Sequence, residues 1–353
     1  MSRSARSSLL MVAFLLTLAL VLAGCGGGGE KKDEEKKEEE TGKEKEKAEK
    51  GGGSPGQIGV QGSSTVLPIS QAAAEAFNQQ NPDVKISVAG GGTGDGFEAF
   101  CSGDTQIADA SRPINDEEQQ ACQDSGVEFI ELPIALDALA VVVNPQNNFA
   151  NDVTVEELRT LWEPDAEGRI TRWNQVRSEW PDQQVNLYGP GTQSGTFDYF
   201  TEKVVGKAKE SRSDYQASED DNVLVQGVAG DPNALGYFGL SYFEQNQNQL
   251  KDLPVDGVSP STEAAQSGEY PLSRPLFIYV STQALEQNPS VEEFVAFYLE
   301  NANQFVEQVQ YVPLPEQALQ EARERFQNRT TGTAPEDATK GEKGKEKKEE
   351  TKK

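Results

Sequence analysis

The chain has 353 residues, a formal net charge of −26, three cysteines and no histidine. At roughly 100–200 residues per domain, this length allows two or three domains. The absence of histidine excludes Ser-His-Asp and Cys-His nucleophile systems and every metal site that contains histidine, and three cysteines cannot complete a four-thiolate zinc site. Because nucleic acids are bound through Lys/Arg patches, so acidic a chain is not expected to bind them.

The N-terminus is typical of an export signal that ends at a lipid-modified cysteine. Two arginines precede an apolar run from Leu9 to Leu22, which is short for a membrane span. The run ends in Leu22-Ala-Gly-Cys25, which resembles the lipobox of bacterial lipoproteins. That resemblance implies removal of residues 1–24 as a signal peptide and attachment of diacylglycerol to Cys25. The alternative is an ordinary secretory signal followed by an incidental cysteine.

Charged segments of low complexity flank a folded body. Residues 25–56 and residues 330–353 are rich in Lys and Glu and contain few apolar side chains that could be buried. Such a composition predicts a solvated tether before the folded body and a disordered tail after it. The folded domain is therefore predicted over residues 57–329.

A disulfide bond is the default interpretation of the two other cysteines. If Cys25 carries lipid, Cys101 and Cys122 remain in an exported, oxidising environment, in which paired cysteines usually form disulfides. The two residues enclose a short stretch of chain, so the bond would stiffen one local segment. Two buried free thiols are the alternative.

The folded body contains three units in which a strand, a Gly/Ser/Thr-rich loop and the start of a helix follow one another. The strands and their loops are residues 57–61 with 62–65, 84–88 with 90–96, and 185–188 with 189–196. Free N–H groups at helix starts attract anions, and glycine lets the backbone approach a ligand closely. Ordinary helix capping explains any one loop, whereas three together favour a shared oxyanion site. None matches a known nucleotide-binding signature.

Two charged residues in apolar surroundings add chemistry to this pattern. Arg112 follows a short apolar segment, and its guanidinium offers a planar bidentate fork suited to a tetrahedral oxyanion. Asp137 interrupts the apolar run from Ile130 to Val143, where a carboxylate needs a partner. The alternatives are a structural ion pair between Arg112 and Asp137, or two unrelated surface contacts.

A series of motifs runs in a fixed order through the folded body. The motifs are Gly62-Ser-Ser-Thr-Val-Leu-Pro68, Gly92-Thr-Gly-Asp-Gly-Phe97, Phe100-Cys101, Ala110-Ser-Arg-Pro-Ile114, Leu158–Trp162, Ile170-Thr-Arg-Trp-Asn-Gln175, Gly191-Thr-Gln-Ser-Gly-Thr-Phe-Asp-Tyr-Phe200 and Tyr270-Pro-Leu-Ser-Arg-Pro-Leu276. Together they resemble the PstS-like phosphate-binding lipoproteins of bacterial phosphate (Pst) ABC importers. The likeness covers about residues 57–315, and the ordered series is more specific than any one loop.

The resemblance implies a type II periplasmic binding protein, an α/β fold of two lobes with the ligand in the cleft between them. Lobe 1 is expected at about residues 57–143 and 271–329, and lobe 2 at about residues 144–270. The phosphate contacts implied by matching positions are Ser64, Thr65, Thr93, Ser111, Arg112, Ser194, Gly195 and Thr196.

The sequence departs from the pattern of some relatives at two positions. Pro190 stands where those relatives have an arginine, so Arg112 is expected to supply the main positive charge. Arg112 itself stands where they have an aspartate, so Asp137 becomes the expected acceptor of the phosphate proton. An ionised acceptor admits phosphate, which keeps a proton near neutral pH, and rejects sulfate, which has none.

The function implied by the resemblance is a receptor that captures inorganic phosphate outside the cytoplasmic membrane and delivers it to the permease subunits of an ABC importer. We expect a lipid-anchored monomer that is not an enzyme and has no cofactor and no metal. A receptor for another tetrahedral oxyanion, an exported phosphoesterase with a serine nucleophile, and a signalling or adhesion protein that keeps the fold are the alternatives.

Overall fold

The computed structural model describes residues 56–341, so Cys25, the expected signal peptide and almost all of the expected tether lie outside the described residues. The strands are β1 (Gln57–Gly62), β2 (Lys85–Gly90), β3 (Ile107–Ala110), β4 (Phe129–Val143), β5 (Asn186–Pro190), β6 (Gln216–Ser218), β7 (Ala234–Gly239), β8 (Lys251–Asp252) and β9 (Ser273–Ser281). The helices are α1 (Leu67–Gln80), α2 (Thr93–Cys101), α3 (Asp116–Asp124), α4 (Val155–Trp162), α5 (Gly195–Phe200), α6 (Asp221–Gly230), α7 (Leu240–Gln245), α8 (Thr262–Ser267), α9 (Thr282–Gln287), α10 (Pro289–Glu300), α11 (Ala302–Gln308) and α12 (Glu316–Gln327). Over the part of the chain that the structure describes, no helix is long and apolar enough to cross a membrane.

A mixed sheet with the strand order β2-β1-β3-β9-β4-β7-β5-β6 runs through both lobes, and β8 pairs with β4. On one side β1 is parallel to β2 and β3, and on the other side β5 is parallel to β6 and β7. The antiparallel pair of β4 and β9 stands between the two parallel sets. Parallel neighbours need crossover connections, and here α1, α2, α5 and α6 supply them. Each parallel set therefore forms the sheet of one lobe.

Strand β4 belongs to both lobes. All 15 of its residues are buried, as the continuous apolar run predicts. Its first part, as far as Ala138, pairs with β9, and its last part, from Leu139 to Val143, pairs with β7. The sheet thus changes lobe within β4, before the boundary that we expected at Val143.

Four apolar clusters hold the layers together. Phe77 of α1 lies in the lobe 1 core, whereas Trp162 and Tyr237 lie in the lobe 2 core. A third cluster joins Leu319 of α12 to Phe238 of β7. The expected assignment of residues 271–329 to lobe 1 alone is therefore too simple, because part of this segment packs with lobe 2.

The chain remains packed beyond the predicted end of the domain at residue 329. The Gly332 N–H donates to the Phe129 carbonyl at 2.8 Å, and the Glu131 N–H donates to the Gly332 carbonyl at 3.3 Å. The Arg325 guanidinium donates to three backbone carbonyl oxygens of this segment. The prediction of a disordered tail from residue 330 is therefore wrong as far as Gly341. The amino-acid composition did not predict that this segment is ordered, because hydrogen bonds to its backbone groups hold it in place.

The predicted disulfide bond between Cys101 and Cys122 is confirmed. It joins the end of α2 to α3, and both cysteines are buried. Because α2 begins at Thr93 and α3 carries Glu118, the bond fixes the positions of these two residues relative to each other.

Replacing both cysteines with serine should lower the free energy of unfolding by about 2–4 kcal/mol, because the unfolded chain regains the entropy that the closed loop removes. Equilibrium denaturation in urea measures this loss, and reduced wild-type protein is the matched control. If the serine variant and the oxidised wild type unfold at the same urea concentration, the bond does not support the fold.

Candidate functional site

A cavity of about 250 Å³ lies between the two lobes. The loop after β1, the start of α2 and the residues after β3 form its lobe 1 side. Helix α5, the short π-helix Thr201–Val205 that follows it, and Ala208 and Lys209 form the lobe 2 side. The polar residues that line the cavity are Ser63, Ser64, Thr65, Thr93, Ser111, Arg112, Asp198, Glu202, Lys209 and Arg274.

Glycine at two positions lets the loops approach each other closely. Gly62 has a φ of +149°, and a Cβ there would lie 2.1 Å from the Asp109 carbonyl oxygen. A Cβ on Gly195, at the start of α5, would lie 2.6 Å from Thr65 Oγ1. Larger residues would push β1 away from β3 and lobe 1 away from lobe 2, so these glycines set the shape of the cavity.

The lobe 1 side presents hydroxyl groups held by one another and by the backbone. The Thr93 and Ser111 hydroxyls are 3.1 Å apart, and the Ser111 N–H donates to Thr93 Oγ1 at 3.1 Å. The Thr65 N–H donates to Ser63 Oγ at 3.2 Å. Hydroxyl groups can turn their protons toward an anion, so this side is suited to binding oxygen atoms of a ligand.

Arg274 of β9 is the most enclosed cation of the cavity, with its side chain 12% exposed. It stands opposite Asp137 of β4 in the strand register, and its Nε donates to Asp137 Oδ2 at 3.1 Å. Its Nη2 donates to Thr65 Oγ1 at 3.0 Å, and the guanidinium carbon lies 4.1 Å from the centre of the Tyr199 ring. Burial raises the pKa of Asp137, and the charge of Arg274 opposes that shift. The carboxylate thus balances the buried cation.

Arg112 also lines the cavity, but it forms its ion pair with Glu118 and not with Asp137. Its guanidinium donates to both carboxylate oxygens of Glu118, at 2.8 and 2.7 Å. Glu118 is fixed in turn because it completes the capping box of α3 with Asn115. The hydrogen bond to Glu118 raises the pKa of Arg112. The alternative of an Arg112–Asp137 ion pair is therefore wrong.

The expected site residues fall into two groups. Those that line the cavity are Ser64, Thr65, Thr93, Ser111 and Arg112. Those that do not are Asp137, Ser194, Gly195 and Thr196. Asp137 lies behind Arg274, and Ser194 caps α5 by accepting the N–H of Thr196 at 3.2 Å. The lobe 2 loop borders the cavity at Gly195, which packs closely against Thr65.

Sequence reasoning missed four charged residues of the cavity: Arg274, Asp198, Glu202 and Lys209. Arg274 and Asp198 each lie inside a quoted motif, so the signal was present. Their roles depend on which residues face each other across strands and lobes, which the motifs do not specify.

Comparison with known proteins identifies the family. The PBP superfamily domain matches residues 47–302. Protein SphX of Synechocystis sp. is 52% identical over 281 residues, which are 78% of this chain and 84% of that protein. The phosphate-binding protein PstS of Staphylococcus saprophyticus is 38% identical over 275 residues, covering 76% and 83% of the two chains. The chain belongs to the PBP superfamily and is PstS-like within it.

A solved structure supports the same assignment for the fold. The structure of a possible phosphate binding protein from Planctomyces limnophilus superposes with a TM-score of 0.75 at 45% identity, covering 79% of this chain and all of that one. The expected fold class, an α/β periplasmic binding protein with two lobes and a cleft between them, is confirmed.

A buried carboxyl group lies beneath the lobe 1 loops of the candidate site. Asp109 of β3 is 1% exposed, and its Oδ1 accepts the Ser70 hydroxyl at 2.9 Å. The Ser70 oxygen is also 3.1 Å from the Tyr298 hydroxyl, whereas Asp109 Oδ2 has no hydrogen-bond partner among the described residues. Burial raises the pKa of Asp109 to about 7, and the Ser70 hydrogen bond opposes the shift.

Asp109 should make stability depend on pH. In the unfolded chain the carboxyl ionises near its usual pKa of 3.8, whereas in the folded protein it ionises near about 7. Its contribution to the free energy of unfolding is therefore constant below about pH 4, falls by up to about 4 kcal/mol as the pH rises to about 7, and stays low above that.

The Asp109→Asn variant should lack this step, because the amide does not titrate and still offers Ser70 an acceptor. Urea denaturation of both proteins between about pH 4 and pH 8 measures the difference in their free energies of unfolding. The other buried carboxyl groups are the same in both proteins, so their effects cancel in this difference. Stability curves that stay parallel across the range would contradict a titrating Asp109.

Proposed function

We propose that this protein binds inorganic phosphate in the cavity between its lobes and delivers it to the permease subunits of an ABC importer. The observation that carries the proposal is the convergence of one enclosed guanidinium and several hydroxyl groups on a small cleft of a PstS-like fold. The phosphate-binding relatives reported above support the choice of ligand, and the importer is the partner that the motifs imply.

The electrostatics of the site suit an oxyanion although the chain is acidic. Arg274 and Arg112 line the cavity from different elements, together with hydroxyl groups of lobe 1. Charge-assisted hydrogen bonds in an enclosed site act at short range, where salt and distant charges have little influence. We infer that local donors, and not the net charge of −26, decide what the cleft binds.

Replacing Arg274 with alanine should weaken phosphate binding by at least about 100-fold, because it removes the enclosed charged donor. Arg112→Ala should weaken binding less, because Arg112 is 37% exposed and already paired with Glu118. Calorimetric titration of purified protein with phosphate measures both effects.

The matched control for these arginine variants is Arg172→Ala, which removes a surface arginine paired with Asp182. Circular dichroism checks that Arg274→Ala remains folded, since Asp137 loses its partner in that variant. An Arg274→Ala protein that is folded and binds phosphate as tightly as the wild type would place the site elsewhere.

We propose a binding function without catalysis. A phosphoesterase would need a group that activates the serine or the water, and among the described residues no serine of the cavity forms a hydrogen bond with a carboxylate or a lysine. Within residues 56–341, no group of three or more Cys, Asp and Glu side chains could hold a metal ion. Turnover of p-nitrophenyl phosphate by the purified protein would contradict this proposal.

We also propose that the protein is a monomer held on the outer face of the cytoplasmic membrane by lipid on Cys25. The support is the lipobox-like Leu22-Ala-Gly-Cys25, and a Lys/Glu-rich segment then separates the anchor from the folded domain. Lipid chains contribute membrane affinity with each buried methylene group.

The Cys25→Ala variant should release soluble protein or leave an uncleaved precursor, because the acylated sulfur is lost. Membrane fractionation and mass spectrometry of the mature N-terminus measure this result. The Cys101→Ser/Cys122→Ser variant is the control, because it removes cysteines but keeps Cys25. Normal processing and acylation of Cys25→Ala would contradict the proposed anchor.

A further inference from the structure

The last part of the chain that the structure describes, residues 330–341, connects the two lobes and is called the C-terminal strap below. One end of the strap is bound to the start of β4 in lobe 1. The Gly332 N–H donates to the Phe129 carbonyl, and the Glu131 N–H donates to the Gly332 carbonyl. The Ala334 N–H donates to Glu131 Oε1 at 3.2 Å. The strap therefore begins as a backbone partner of the lobe 1 sheet.

The other end of the strap is bound to lobe 2. The Gly341 N–H donates to the Gln266 carbonyl of α8 at 3.3 Å. Lys340 packs so closely on the end of α8 that a Cβ on Gly268 would lie 2.8 Å from Lys340 Cε. Helix α8 belongs to lobe 2, because its Ala265 packs in the same apolar cluster as residues of β7. Each end of the strap is thus held by a different lobe.

Between its two ends the strap lies along α12. Ala338 is 8% exposed and lines a groove together with Pro335 and with Ala322 of α12. Helix α12 itself crosses between the lobes, since Phe326 packs in the lobe 1 core and Leu319 packs with β7. The strap follows α12 in the opposite direction and forms a second, non-covalent connection between the lobes.

The lobe 1 end of the strap lies at the end of the sheet that is remote from the cavity. Gly332 forms a β-bridge with Ile130, which is level with Val280 of β9 and, through it, with Ile107 at the start of β3. The cavity lies beyond the other end of β3, where Ser111 follows. A rotation of the lobes about β4 that opens the cleft therefore also changes the distance between the two ends of the strap.

We propose that the C-terminal strap restrains opening of the cleft and thereby raises the affinity for phosphate. This inference rests on the proposed phosphate binding. Gly195 lies against Thr65 across the cleft while both ends of the strap are bound, so the two sets of contacts belong to one arrangement of the lobes. The apparent affinity of a ligand falls with the fraction of protein in the binding-competent state, so a restraint that keeps the lobes together reduces this loss.

The strap is suited to restrain the lobes without locking them. Its lobe 1 end is strongly held, because Arg325 also donates to the carbonyls of residues 331–333. Its lobe 2 end is held by the bond from Gly341 to Gln266 and by the packing of Lys340. One net hydrogen bond changes an equilibrium by about 3- to 10-fold, so opening can release the lobe 2 end while the lobe 1 end stays bound.

The test compares two shortened forms of the chain by calorimetric titration with inorganic phosphate. Ending the chain after Ala334 keeps the lobe 1 end of the strap and removes the lobe 2 end. Ending it after Gly341 keeps the whole strap and is the matched control. The first form should bind phosphate about 3- to 10-fold more weakly, as expected from the loss of one net hydrogen bond, and the second should bind it as the full chain does.

Hydrogen exchange of the phosphate-free proteins measures the restraint without a ligand. The amides of residues 63–67 and 194–196, which include the touching pair Thr65 and Gly195, should exchange faster in the form that ends after Ala334. A full-length variant with Gly-Ser-Gly-Ser inserted between Ala334 and Pro335 keeps both ends of the strap but slackens it. It should show the same changes, and it decides the question if the shorter form does not fold.

The proposal is overturned if the folded variants bind phosphate as tightly, and exchange these amides as slowly, as the form that ends after Gly341. Tighter binding without the lobe 2 end would also overturn it, because the strap would then hold the cleft open. Wild-type protein that does not bind phosphate refutes the proposed function instead, and the exchange rates still test the restraint.

Discussion

The ion pair between Arg274 and Asp137 is the interaction on which the site depends. Two charges this enclosed are tolerated only because each compensates the other and because hydrogen bonds satisfy them. Their positions follow from the antiparallel register of β9 and β4, which places them directly opposite each other. The guanidinium is thereby fixed with Thr65 on one side and the Tyr199 ring beneath it.

Because β4 pairs with β9 in lobe 1 and with β7 in lobe 2, the same strand that holds Asp137 also joins the two sheets. Arg274 therefore stands where the lobes meet, and the close contact of Gly195 with Thr65 lies beside it. The position of the charge and the distance between the lobes are consequently set together. A substitution that moves β9 relative to β4 would disturb both.

Much of the fold and part of the site could be predicted from the sequence. Glycine and hydroxyl residues after strands indicated residues that do line the lobe 1 side of the cavity, since loop chemistry is local. The partner of Asp137 could not be predicted in the same way, because Arg274 is distant in sequence and only strand register brings the two together. The partner of Arg112 could not be predicted for a related reason. Arg112 pairs with Glu118, which the capping box of α3 holds in place, and the apolar pattern does not reveal this contact. The ordered segment up to Gly341 was missed because backbone hydrogen bonds leave no signature in composition.

The arrangement also explains how ligand binding can be coupled to the relative position of the lobes. A ligand shifts a conformational equilibrium only by the difference between its affinities for the two states. An anion that contacts Ser64 and Thr93 alone would bind an open cleft as well as a closed one. One that also contacts Lys209, which lines the cavity from lobe 2, gains that interaction only when the lobes face each other. Contacts with lobe 2 are therefore the ones through which phosphate would favour closure of the cleft.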